Sequence, residues 1–249
     1  MTFRPEFDRA PRQPAFNLPR VVVVLLALMV GIQLLRAFVL TDSANLWVIV
    51  NFAFIPGFMG ADAVDLATLP VDILPGARVW SFVTYAFLHG GWAHLLLNCI
   101  WMAAFASPLA WRFGAARFLL FSAVGAIAGA LVHWAAYGND ISPLVGASAA
   151  ISAHMAGAVR FLFIGGNMGR RDYFAPAAPL RDVFSDRSTL SFIAIWFGIS
   201  IAIGLIGLGG EGAAIAWQAH IGGFLAGLLL FPLFDPVGRP SGPDVRAPS

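Results

Sequence analysis

Four polar residues stand out because each interrupts a long apolar run: His94, Asn98, Ser148 and His220. Ser148 lies in Leu144-Val145-Gly146-Ala147-Ser148-Ala149-Ala150-Ile151, and a Gly-x-Ser turn that opens a helix resembles a nucleophile position. A neutral imidazole within reach, such as His220, can take the serine proton during attack on a carbonyl and return it to the leaving amine. His94 and Asn98 are four residues apart and share a helix face. Both can donate hydrogen bonds, which suits an oxyanion hole. Together these residues describe acyl-transfer chemistry. Singly, each has a plainer explanation: Ser148 as an N-cap or packing serine, and His94 with Asn98 as a buried polar pair joining neighbouring helices. A metal site from His89, His94 and His220 is not expected, because no Asp, Glu or Cys in the same layer completes it. His133 and His154 read as packing or interface residues; His154, six residues after Ser148, is rotated about 240° around the helix.

The elements that must carry these residues are membrane helices. Of 249 residues, 59% are hydrophobic and 11% charged, against about 25% charged in an average soluble domain. So few charges cannot build a water-facing surface. The single cysteine, Cys99, excludes an internal disulfide framework. All 15 basic residues are Arg, and none forms a cluster longer than Arg170-Arg171, so no nucleic-acid partner is expected. Six runs are candidate spans: Val21–Leu40, Trp92–Trp111, Ala115–Tyr137, Pro143–Phe163, Leu190–Leu208 and Ala213–Phe234. The expected fold is all-α, a polytopic membrane protein with a six-transmembrane-helix bundle over residues 20–234. Residues 41–91 read as one long outer loop that dips into the interface, and Arg36 as a residue that snorkels outward. Residues 1–19 and 235–249 read as disordered cytoplasmic tails. In this topology 13 of the 15 Arg lie on the side of the termini and only Arg36 and Arg78 on the other. That bias makes both termini cytoplasmic. A seventh span at residues 44–59 would scatter the bases over both sides.

Spans 2, 4 and 6 then run in the same direction, from outside to inside. Asn98, Ser148 and His220 fall five to seven residues past their outer starts, a depth of about 7–11 Å, with His94 one turn shallower. Ionisable groups inside a bilayer are costly, and each is a functional candidate. Ala149, Ala153 and Gly157 on span 4, and Ala219, Gly223 and Gly227 on span 6, repeat every four residues. Such small-residue ridges let two backbones approach closely.

Three motifs, in this order, resemble the rhomboid intramembrane serine proteases. They are Phe87-Leu88-His89-Gly90-Gly91-Trp92-Ala93-His94-Leu95-Leu96-Leu97-Asn98, then Gly146-Ala147-Ser148, then Ala219-His220-Ile221-Gly222-Gly223-Phe224-Leu225-Ala226-Gly227. The likeness extends over about residues 75–235. It implies a rhomboid-like bundle, a Ser148 nucleophile and a His220 base acting as a dyad without a carboxylate, and no cofactor or metal. It also implies an oxyanion hole of His94, Asn98 and the Ser148 backbone N–H, with His89 and Gly146 supporting. The implied substrates are single-span transmembrane proteins in the lipid bilayer, cut near the outer end of their helix. The implied location, with the Arg-only, Ala/Gly-rich composition, is a bacterial inner membrane.

The chain departs from the family pattern at three places. Ala149 follows the serine where glycine is usual. Ser152 stands where an aromatic usually stacks on the histidine; its hydroxyl, on the face of Ser148, is expected to bond or orient His220 instead. The family's Trp-Arg pair in the first outer loop is Trp80-Ser81 here, with Arg78 two residues earlier. Two other functions remain open on sequence. A catalytically inactive rhomboid relative that binds membrane clients usually lacks the serine or the histidine. A transporter would need polar groups continuing to the cytoplasmic side, where spans 4 and 6 are apolar apart from His154.

Overall fold

The computed structural model describes residues 18–60, 70–162, 173–206 and 216–237. The expected tails lie almost wholly outside these residues. Among the described residues the chain is all-α, and the only strand-like pairing is an isolated antiparallel bridge between Phe54 and Leu144. Helices α1 (Arg20–Phe38) and α2 (Asp42–Phe52) come first, then α3 (Ala77–Thr84), α4 (Trp92–Phe113) and α5 (Ala115–Ala136). Helices α6 (Ser148–Val159), α7 (Leu180–Ser185), α8 (Arg187–Ile206) and α9 (Trp217–Phe234) follow. Four of them, α1, α4, α5 and α9, are long and apolar enough to cross a membrane, and α6 and α8 are the two further apolar helices. Their outer faces are greasy: Leu28 on α1, Leu96 and Ile100 on α4, and Leu229 and Leu233 on α9 are exposed. Such apolar exteriors belong in lipid, not water. The chain is an integral, multi-pass membrane protein.

Helix α6 is the centre of the bundle. Every residue from Ala149 to Val159 is buried, and α4, α5 and α9 pack around it. Its 12 residues span about 18 Å, short of a ~30 Å hydrocarbon core. The expected span from Pro143 is therefore helical only from Ser148. Gly146 explains the late start: its φ of +109° is incompatible with a right-handed helix. The extended stretch 143–147 satisfies its backbone on the neighbouring loop instead. Leu144 N donates to the Phe54 carbonyl at 2.8 Å, and Gly146 N to the Tyr85 carbonyl at 3.0 Å. Non-helical backbone at membrane depth is tolerated when protein supplies its partners. Helix α9 runs from Trp217, with Ala216 as its N-cap; the expected start at Ala213 lies outside the described residues.

The described residues of the segment 41–91 form α2, α3 and two single 3-10 turns, Pro56–Phe58 and Tyr85–Phe87. Asn51 is its hub and is fully buried. Its amide donates to the Trp47 and Asp72 carbonyls, both at 3.0 Å, and accepts from Leu74 N at 2.7 Å. Trp80 Nε1 donates to the Asn51 carbonyl at 2.8 Å, and the Trp80 ring stacks on Phe52. Trp80 thus fixes the loop through Asn51, while Arg78 is exposed. Removing a buried amide that serves several backbone groups leaves them unpaired, at about 1–3 kcal/mol for each orphaned group. Asn51→Leu is expected to lower the thermal unfolding temperature of the detergent-solubilised protein by several degrees; an unchanged midpoint would mean the loop is held elsewhere.

At the opposite end of the bundle Arg112 closes the fold. Its guanidinium makes two 2.8 Å bonds to Asp235 and donates to the Tyr173 and Ala175 carbonyls. It also lies over the Phe161 ring, 4.6 Å from the centroid. This buried charge is paired and hydrogen-bonded, as burial demands, and it ties α4, the end of α9 and the chain before α7 together.

Candidate active site

Ser148 is the first residue of α6, and Ala147, not the serine, is the N-cap. No side chain caps this helix. The first intrahelical bond is Ile151 N to the Ala147 carbonyl, so the N–H groups of Ser148, Ala149 and Ala150 have no partner within the helix. Uncapped N–H groups at a helix N-terminus favour negative charge. Ser148 is half-buried, while its neighbours Ala147 and Ala149 are buried. The nucleophile candidate is therefore the reachable residue of a closed helix end.

Backbone contact brings His220 to the same level. A Cβ on Gly223 would collide with the Ala149 carbonyl, and one on Gly227 with the Ala153 carbonyl. The parallel helices α6 and α9 therefore meet as Ala149 against Gly223 and Ala153 against Gly227. His220 is three residues before Gly223, on the outer side of that contact, and is the fourth residue of α9. The expected ridges mesh only in part. A Cβ on Gly157 would lie 3.0 Å from the Leu109 side chain, and one on Gly129 of α5 would lie 2.9 Å from the Ala219 carbonyl. A second small-residue pair, Gly125 and Gly129 on α5, meets Ala153 and Ala149 from the other side. The Gly-x-x-x-Gly spacing in α5 is visible in the sequence and marks the contact that was not anticipated.

His94 closes the third side. A Cβ on Gly146 would lie 2.7 Å from both Cε1 and Nε2 of His94. Gly146 is thus required twice, by its positive φ and by the imidazole against its Cα. Asn98, one turn deeper and buried, donates Nδ2 to the His94 carbonyl at 2.9 Å. Its Oδ1 has no partner among the described residues. His89, in the turn before α4, packs edge-on against His94 with centroids 5.2 Å apart. Burial pushes His89 down to about 3; the nearby His94 and Arg36 add to the fall and the Phe87 carbonyl opposes it. His89 is therefore neutral at pH 7.

His94 lies within electrostatic range of both His89 and His220. The serine and His220 make no hydrogen bond to each other among the described residues, and His220 Nδ1 is buried without a partner. Catalytic hydrogen bonds in ligand-free enzymes are often loose and tighten with substrate. The expected Ser152–His220 bond is absent. Ser152 is fully buried one turn below Ser148, and its Oγ has no partner among the described residues. Ser152→Ala is accordingly expected to keep the cleavage rate within about twofold of wild type, since it removes no bond made to His220; a loss of tenfold or more in a substrate assay would return Ser152 to the site. His154 is fully buried and shares a 2.8 Å hydrogen bond with Ser122 Oγ while stacking on Phe118. His133 is buried beside Tyr137. Both pack, as expected. Among the described residues no cluster of three or more His, Cys, Asp or Glu could hold a metal ion.

A serine opening a buried helix, with His94 and Asn98 on α4 and His220 on α9 among the helices packed around it, marks a polytopic membrane protein with polar residues inside its bundle. The Rhomboid domain family model matches residues 76–235, and the chain belongs to the rhomboid family. It is similar to Rhomboid-related protein 3 of Homo sapiens, 38% identical over 87 residues, which cover 33% of this chain and 21% of that protein. It is also similar to Rhomboid protease GlpG of Yersinia pestis (strain Pestoides F), 26% identical over 153 residues, or 61% of this chain and 47% of that protein. Rhomboid protease GlpG of Yersinia enterocolitica serotype O:8 / biotype 1B (strain NCTC 13174 / 8081) is 26% identical over 161 residues, 65% of this chain and 50% of that protein. The chain spans half or less of the length of these relatives.

Proposed function

We propose that this protein is an intramembrane serine endopeptidase working through a Ser148–His220 dyad. The observation that carries the reading is the α6–α9 contact at Ala149 and Gly223, which supports a meeting of the two side chains at the reachable end of α6. His220 takes the Ser148 proton as Oγ attacks the scissile carbonyl. The oxyanion develops beside the Ser148 N–H, with His94 and Asn98 as side-chain donors. The proton on His220 passes to the leaving amine, and water then hydrolyses the acyl-enzyme with His220 as base. In this reading the imidazole works without a carboxylate, a metal or a cofactor.

The substrates are single-span transmembrane proteins cut near the outer face, in a bacterial inner membrane with both termini of this chain cytoplasmic. The short α6 supports this reading, because it begins at a half-buried Ser148 after the extended stretch 143–147. A substrate helix must unwind there, because intact helical carbonyls are hydrogen-bonded and shielded. A fluorophosphonate probe tests the mechanism on the purified protein. It is expected to label Ser148 and to lose labelling in His220→Ala. Wild-type labelling of Ser148→Ala would overturn the assignment, and a folded protein that resists the probe would be an inactive client-binding relative.

A further inference from the structure

A cavity opens beside α1, at the end of α4 that carries His94. It is lined by Gln33, Arg36, Asn45, His89, Gly90 and Trp92, among others. We propose that this cavity binds a phosphate group, and that the group is the phosphodiester of an anionic phospholipid in the adjacent leaflet.

Arg36 does not snorkel freely. Its Nε donates to Asn45 Oδ1 at 2.9 Å, and one Nη donates to the His89 carbonyl at 2.9 Å and, at 3.5 Å, to Gln33 Oε1. The second Nη has no partner among the described residues, and no carboxylate there forms an ion pair with Arg36. A half-buried guanidinium with all its partners neutral lacks a counter-ion, which is costly near a membrane. Its free edge presents the planar fork that matches phosphate oxygens.

Two further groups face the same space. His89 is 1% exposed, and neither of its ring nitrogens makes a hydrogen bond of ordinary geometry among the described residues. One of them carries an N–H that an anion would satisfy. The N-terminus of the 22-residue α4 also opens here. Its N-cap is Gly91, no side chain caps it, and its first intrahelical bond is Leu95 N to the Gly91 carbonyl. The N–H groups of Trp92, Ala93 and His94 are therefore unpaired within the helix, and they add to the positive field.

The rim favours a lipid over a free ion. Arg36 is two residues from the end of α1, at headgroup level. Phe38 and Trp92, 74% and 46% exposed, flank the opening with centroids 6.0 Å apart. Exposed aromatic rings at a helix end are the usual marker of the membrane–water interface.

The test uses the full chain, purified in detergent, with native mass spectrometry after titration with phosphatidylglycerol or with phosphate-free diacylglycerol. A charge-assisted contact contributes enough for wild type to retain about tenfold more phosphatidylglycerol than diacylglycerol. In Arg36→Gln that ratio is expected to fall toward one. A parallel arm follows thermal unfolding with millimolar inorganic phosphate. Stabilisation by phosphate that disappears in Arg36→Gln supports the phosphate site and assigns it to a free ion if the lipid preference is absent. Equal retention of both lipids by wild type, with no effect of phosphate, overturns the proposal. If Arg36→Gln does not fold, the wild-type lipid ratio and phosphate response decide alone.

Discussion

Alanine at position 148 is expected to lower cleavage of a membrane-anchored substrate by a factor on the order of 10⁴–10⁶, with the protein folded as before. The substitution deletes one oxygen at the first position of α6, where no cap or hydrogen bond depends on it. What it removes is the nucleophile, and residues that act as one unit lose activity nearly all at once. His220→Ala should cost about as much, and the double variant little more than either single one. Residual activity would come from the oxyanion donors alone. Cleavage rates of the three variants, with unfolding temperatures as the folding control, check this. A Ser148→Ala variant that still cleaves at the wild-type rate is the result that sinks the dyad, and additive losses in the double variant would mean that the two residues do not act as a unit.

Gly223→Ala should be nearly as damaging although it touches neither reacting atom. The new methyl would sit inside the contact radius of the Ala149 carbonyl, a backbone atom that cannot rotate away. The helices must separate by about 1 Å or more, and a misplacement of that size between reacting groups can cost about 10²-fold in rate. A loss of about 10²-fold, carried by kcat more than KM, is therefore expected. Gly31→Ala on α1 and Gly198→Ala on α8 are the controls, because a Cβ at either meets nothing within 4 Å. Both should keep activity. Equal activity in Gly223→Ala and the controls would show that the α6–α9 contact does not set the site.

The apolar runs and the polar layer were legible in the sequence because lipid imposes length on helices and makes each buried polar group conspicuous. The structure sets His94 against Gly146, two residues before Ser148, and Gly223, three residues after His220, against Ala149. Helix α6 was overestimated because hydropathy counts Leu144, Val145 and Ala147 as membrane residues whatever their conformation. Their extended path depends on distant partners, Phe54 and Tyr85, which no local pattern names. The loop hub at Asn51 was hidden for the same reason: its bonds reach Asp72 and Leu74 across more than twenty residues. The Arg112–Asp235 pair joins positions 123 residues apart. Ser152 was misread because a shared helix face does not specify the distance to another helix.

The Gly125–Gly129 pair bears on how such a sequence can change over generations. The methyl of Ala149 occupies the space that a side chain on Gly129 would need. A side chain at 129 would also press on the Ala219 carbonyl of α9, a backbone atom. Glycine on the facing helix is therefore demanded from two directions, and a lineage carrying alanine after this serine depends on a position that α9 already holds to glycine.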